Sequence, residues 1–158
     1  MKEIYLTRGK VALVDDEDCY RVSQYKWHVC EDGNIFYAHG RVRDKEIQMH
    51  RFILNAKIGE ITDHIDGDGL NNQKINLRFV TKSQNSVHAR KFKMYNGKPC
   101  SSIYRGVSKC GNLWHSRIIF EGKYINLGWF KNEEDAARVY DDKMIELHGV
   151  YGKLNFPI

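Results

Sequence analysis

The sequence predicts an α+β protein: an N-terminal β-meander leading into a strand–strand–helix unit, then a three-stranded antiparallel sheet packed on one helix. Three observations predict it. Short apolar runs alternate with polar residues through the first 60 positions, separated by turn residues. A helical period replaces that alternation over residues 133–147, where Ala136, Ala137, Tyr140, Met144 and Leu147 share one face. Between the halves, Lys93 to Ser102 has little periodicity and holds Asn96-Gly97, Pro99 and Ser101-Ser102. The expected division is a first domain at 1–91 with its compact core at about 48–91, a basic linker at 92–103, and a second domain at 104–158.

Each element has a local reason. Ile4 to Leu6 and Val11 to Val14 are β-type runs, and Asp15-Asp16-Glu17-Asp18 reads as an acidic turn. Tyr20 to Cys30 reads as a strand because Tyr25, Trp27 and Val29 alternate. Glu31-Asp32-Gly33-Asn34 carries a hairpin signal, and Ile35 to Ala38 returns. Glu46 to Leu54, containing His50, reads as extended, with His50 a structural residue. Thr62 to Asn85 reads as the strand–strand–helix unit. Gly67, Gly69, Asn71 and Asn72 supply its turn, with Asp66 and Asp68 as turn residues, and Leu77 to Val80 its second strand. Thr81 with Gln84 suits a capping box for a helix running to about Lys91. Further on, Val107, Trp114 to Phe120 and Tyr124 to Phe130 read as three strands, and Asn132 as the cap of the last helix, whose first turn is acidic. Trp114 and Trp129 are expected in the core.

Composition narrows the class. With 42% apolar and 28% charged residues, the 158-residue chain is ordinary globular material for one domain or two small ones. No apolar run approaches the ~20 residues that cross a bilayer. The N-terminus lacks an apolar secretion segment, so the cytosol of the host is the expected compartment. The four cysteines, Cys19, Cys30, Cys100 and Cys110, form no C-x-x-C pair and read as reduced thiols. Net charge is +5, but from Gly69 to Phe120 there is no acid at all and the local charge is +10. A block of one sign suits a polyanion partner.

Asp63-His64, then Asn76 and Asn85, bring together a base, a carboxylate and carboxamides. A neutral imidazole can take a proton from water near pH 7. Carboxylate and carboxamide oxygens suit a hard divalent cation such as Mg²⁺ or Mn²⁺. These are the groups needed to hydrolyse a phosphodiester with one metal ion. Asp66 and Asp68 do not make a calcium loop, because Leu70, Asn71 and Leu77 occupy positions that such a loop reserves for other residues.

The frame D-H-I-D-G…N-N…I-N-L-R-F-V-T…Q-N resembles the HNH nucleases of the ββα-metal type, closest to phage and intron-encoded homing endonucleases. The likeness covers roughly His50 to Asn85. It implies His64 as general base, Asp63 and Asn85 as metal ligands, and Asn76 as the residue that pins the hairpin loop. Asn85 stands where many members have His, which favours Mg²⁺ or Mn²⁺. His88 is a reserve ligand, and Ala89 stands where some relatives carry another His.

In the second half, Tyr104-Arg105-Gly106-Val107, Trp114…Arg117-Ile118, Leu127-Gly128-Trp129-Phe130, Glu133 to Asp141 and Leu154 to Pro157 resemble the plant ethylene-response-factor (APETALA-type) DNA-binding domain. The resemblance implies a sheet that lies in the major groove of double-stranded DNA, backed by one helix. His115, Arg117 and Ile119 should then face DNA, with Arg105, Tyr124 and Asn126 among the contacts; Arg can read guanine and Asn adenine. Arg78, Arg90, Lys91, Lys93 and Lys109 are the expected further DNA contacts. The combined expectation is a metal-dependent endodeoxyribonuclease, acting as a monomer and nicking an asymmetric site, with a DNA-binding regulator carrying an inert nuclease half as the alternative.

Overall fold

The computed structural model describes residues 1–88, 94, 95 and 98–156. The chain forms two compact units, Met1–Lys82 and Ser83–Ile158. It is an α+β protein built from antiparallel sheets.

In the first unit, β1 (Lys2–Tyr5) pairs with β2 (Val11–Val14). The expected acidic turn and the beginning of the following strand are instead one helix, α1 (Asp16–Ser23). Asp16, Glu17 and Asp18 occupy its first turn, where unpaired N–H groups favour negative charge. The alternation around Trp27 therefore starts later, in β3 (Trp27–Asp32). That strand joins β4 (Ile35–Val42) and β5 (Lys45–Gln48) in a β3-β4-β5 sheet, with Gly33-Asn34 as the first loop. Residues 49–53, expected to be extended, form the short helix α2 (Met49–Ile53). The turn buries Met49, His50 and Ile53 together, which an alternating strand could not do.

The hairpin β6 (Ile61–His64) and β7 (Leu77–Val80) follows, joined by a long loop that ends in a 3₁₀ turn at Lys74–Asn76. The unit's core gathers Ala12, Val14, Val22, Trp27, Val29, Ala38, Met49, Ile53 and Leu77. These side chains come from β2, α1, β3, β4, α2 and β7, and burying a single one contributes on the order of 1.5–3 kcal/mol.

In the second unit, α3 (Lys82–His88) is followed by the two-residue pair β8 (Met94–Tyr95) and β9 (Lys98–Pro99). The sheet β10 (Val107–Cys110), β11 (Leu113–Phe120) and β12 (Lys123–Phe130) carries α4 (Glu133–His148). Ala136 and Ala137 are fully buried, and their small side chains let α4 lie on Val107, Trp114 and Phe130. Ile118, Tyr140 and Met144 continue the core. Asn132 holds the N-cap position, but its side chain donates to Asp135 Oδ2 (3.1 Å) rather than accepting from the backbone. Gly106 has φ +66°, and a Cβ there would sit 2.0 Å from the Tyr140 ring, so only glycine fits.

One expectation is reversed. Trp129 is 51% exposed, not in the core. Ser116 pairs with Gly128 but Arg117 pairs with Asn126, leaving Leu127 as an extra residue. One inserted residue inverts the side-chain parity beyond it. Trp129 consequently joins the outward face and Phe130 the inward one.

Candidate functional site

The β6–β7 register sets the site. Asp63 lies opposite Arg78, and His64 opposite Leu77. Cross-strand partners share a face and neighbours along a strand do not, so Asp63 and His64 diverge. Arg78 Nε and Nη2 donate to Asp63 Oδ2 at 3.0 and 2.8 Å. Both side chains are nearly buried, at 13% and 11% exposure. Arg78, expected as a DNA contact, is thus engaged with the expected metal ligand.

His64 is 4% exposed. Its Nε2 lies 3.5 Å from Asn72 Oδ1, a long contact made by a side chain that is itself fully buried. The Asn72 amide is oriented by its Nδ2, which donates to Leu70 O (3.0 Å) and leaves Oδ1 towards the imidazole. A carbonyl oxygen can only accept, so Nε2 carries the proton and Nδ1 is the bare nitrogen of the neutral ring. The His50 ring meets His64 edge-on with centroids 4.7 Å apart, and Tyr37 lies 5.9 Å from both. Burial holds His64 below the usual imidazole range; the Asn72 contact and Asp66, Asp63 and Asp68 offset only part of that. Burial, with the neighbouring His64 and Arg51, pushes His50 down to about 3. Its Nδ1 has no hydrogen-bond partner among the described residues. Both rings are neutral near pH 7.

The loop from 65 to 76 is fastened at several points. Asn76 Nδ2 donates to Asp66 Oδ1 (2.9 Å) and Asn71 O (2.8 Å), and Asn76 Oδ1 accepts from Asp66 N (3.0 Å). Asp66 also accepts from Asp68 N and from Asn71 Nδ2, each at 2.8 Å. Burial would raise the Asp66 carboxyl, but these hydrogen bonds outweigh it and hold it below the ordinary value. The loop is tied to β2 through Leu13 N to Leu70 O and Asn72 N to Leu13 O, each 2.8 Å. Asp15 accepts from Lys74 N (2.8 Å), while the Lys74 ammonium reaches Glu17 and Asp18. Two cations of the acid-free stretch, Lys74 and Arg78, are therefore neutralised by acids distant in sequence.

Sequence reasoning gave Asn72 and Asp66 no role beyond the turn, and Asn72 is in fact the partner of His64. Nothing in the run Asn71-Asn72 distinguishes the half-buried amide from the fully buried one. Asn85 lies on α3, in the second unit. Arg90, Lys91 and Lys93, and Ala89, lie outside the described residues, as does the side chain of His88. Among the described residues, no three His, Cys, Asp or Glu side chains cluster as metal ligands.

The second unit presents a row of outward side chains: His115, Arg117 and Ile119 from β11, and Tyr124, Asn126 and Trp129 from β12. His115 and Trp129 stack, with centroids 4.3 Å apart and planes at 17°. The Arg117 guanidinium lies 5.1 Å from the Tyr124 ring centre. Asn126 Oδ1 accepts from Gly128 N (3.1 Å) and His115 Nε2 (3.0 Å). Both lone pairs of that oxygen are committed, so the bidentate adenine contact available to a free Asn is closed. Lys109 is registered opposite Trp114, with its ammonium 5.4 Å from that ring, and so shares the α4-facing side. Arg105 is half-buried and bonds the Tyr140 hydroxyl. Asn155 accepts from Arg105 N (2.6 Å) and is itself held by Asp141, which fastens the C-terminal segment.

Comparison with known proteins places these features. A family model described as HNH endonuclease matches residues 48–87. An uncharacterized HNH endonuclease of Acanthamoeba polyphaga mimivirus is 32% identical over 156 residues, covering 94% of this chain and 76% of the relative. A protein of Bacillus subtilis named as an SPbeta prophage-derived HNH homing endonuclease is 33% identical over 92 residues, 55% of this chain and 52% of its own length. An Arabidopsis thaliana ethylene-responsive transcription factor-like protein is 34% identical over 80 residues, 51% of this chain and 34% of its length; such matches fall on the C-terminal part.

Proposed function

The chain belongs to the HNH endonuclease family, and on that premise we propose that it hydrolyses DNA phosphodiesters, nicking a duplex site selected through its C-terminal half. The observation that carries the reading is His64: a buried, neutral imidazole whose Nε2 is taken by a buried carboxamide, leaving Nδ1 as the acceptor. Such a nitrogen takes a proton from water as the water oxygen bonds to phosphorus and the P–O3′ bond breaks; the expelled oxygen takes a proton from solvent, giving 3′-hydroxyl and 5′-phosphate ends. Asn76 and Asp66 lock the loop below it, and Asn72 fixes the ring's tautomer. The oxygens of Asp63 and Asn85 are hard donors of the kind Mg²⁺ or Mn²⁺ prefers. When bound, that ion supplies positive charge at the phosphate. Arg78 grips Asp63 Oδ2 and fixes the direction of the carboxylate. In this reading Arg78 is a positioning residue, and the enzyme works as a monomer in the cytosol of its host cell.

Supercoiled plasmid incubated with Mg²⁺, Mn²⁺ or EDTA tests the reading, using wild type and His64→Ala. Nicked circles appear with wild type and metal, and are absent from the mutant and chelator lanes. Retention of DNA by wild type without metal-dependent nicking would instead support a regulator whose nuclease half is inert.

A further inference from the structure

The outward face of the β10–β11–β12 sheet is unusually apolar for a solvent-facing surface. Ile119 is 53% exposed, Tyr124 68% and Trp129 51%. Trp129 is there only because the bulge at Leu127 turned it outwards. Its stack on His115 holds it on the sheet. The outward side chains, including Ser108, Cys110 and Leu113 by the same register, contain no carboxylate and include the Arg117 guanidinium, so the face suits a polyanion that also offers apolar surface. The donor and acceptor balance narrows this further. Asn126 has its oxygen filled from within the sheet, and the backbone N–H of Gly128 can only donate, so the amide orientation is fixed with Nδ2 turned away. Arg117 and Asn126 therefore present donors alone.

In a duplex, the apolar group of the major groove is the C5 methyl of thymine, and acceptors are carried by guanine (N7, O6), thymine (O4) and adenine (N7). We propose that this face recognises thymine methyl groups through Trp129 and Ile119, with Arg117 and Asn126 donating to neighbouring keto bases, since adenine sets its N6 donor beside N7 and opposes a donor-only pair, so that the contacted strand is rich in T and G. The proposal rests on reading the second unit as a DNA reader and supplies the chemistry of what it reads.

The test selects bound duplexes from a randomised library with the full chain, then replaces thymine by deoxyuridine in the recovered site. That exchange removes only methyl groups. Each contacted methyl lost weakens binding roughly fourfold, the value of about one buried methylene. Trp129→Ala lowers affinity for the thymine site and removes the difference between thymine and uracil duplexes. Unchanged affinity on the uracil duplex, measured with wild type and so independent of any folding defect in the variant, overturns methyl recognition while leaving DNA binding intact. A recovered site without thymine does the same. Failure to enrich any duplex refutes the DNA-reader reading itself, and the proposal with it. A concentration-dependent dimer that Trp129→Ala abolishes would assign the face to a second copy of the chain and overturn the proposal.

Discussion

Lowering the pH should unfold the first unit, and His50 sets how steeply. The ring is 4% exposed, its Nδ1 has no partner among the described residues, and burial lowers its pKa to about 3. In the unfolded chain it returns to about 6.5. The unfolded state therefore binds the proton first. The neutral ring's contribution is fully present above about pH 6.5 and is lost as pH falls towards about 3. Between about pH 7 and about pH 5 the loss from His50 alone is about 2 kcal/mol. His64 is shifted in the same direction and adds to it. His50→Phe keeps an aromatic ring beside His64 and Tyr37 but cannot take a proton. Urea unfolding at the two pH values, followed by pulsed hydrogen exchange of peptides from 27–53, gives the loss for each chain. Wild type should lose about 2 kcal/mol more than the variant. Equal losses would show that the cost of charging His50 is not what limits acid stability, and would refute the argument from burial.

Arg78→Ala leaves the nearly buried Asp63 carboxylate without its guanidinium, costing about 1–3 kcal/mol in urea unfolding. On the proposed mechanism it also raises the metal concentration needed for half-maximal nicking, and Arg78→Lys restores only part of this because it lacks the fork. Asn76→Ala removes bonds to Asp66 and Asn71; nicking should fall at least tenfold, about 1.4 kcal/mol, with plasmid retention unchanged. Gly106→Ala should destabilise the second unit by about 2 kcal/mol or more, because a side chain at φ +66° meets Tyr140 and the Arg117 carbonyl; thermal unfolding by circular dichroism measures it.

The course of the chain was largely legible wherever local chemistry decides structure. β-type runs located β2, β11 and β12, alternation around Trp27 located part of β3, and the acidic run before Ala136 located α4. The cluster of Asp63, His64 and Asn76 was legible as chemistry because few arrangements need a base, a carboxylate and an amide so close together. Local chemistry misled where two signals competed. Asp15 to Asp18 suits a turn or the first turn of a helix, and only the burial of Val22 against the core selects the helix.

By itself, the sequence determined the α+β class, the order of most elements and the identity of the candidate base. The tertiary structure alone decided that Asn72 sits under His64, that Arg78 binds Asp63 instead of facing outwards, and that Trp129 stands on the surface. The physical reason is common to all three. Each depends on a register, a strand pairing or a single bulge, and these are fixed by the packing of segments distant in sequence. Residue type states what a side chain can bond to, but only the fold states which partner is within reach.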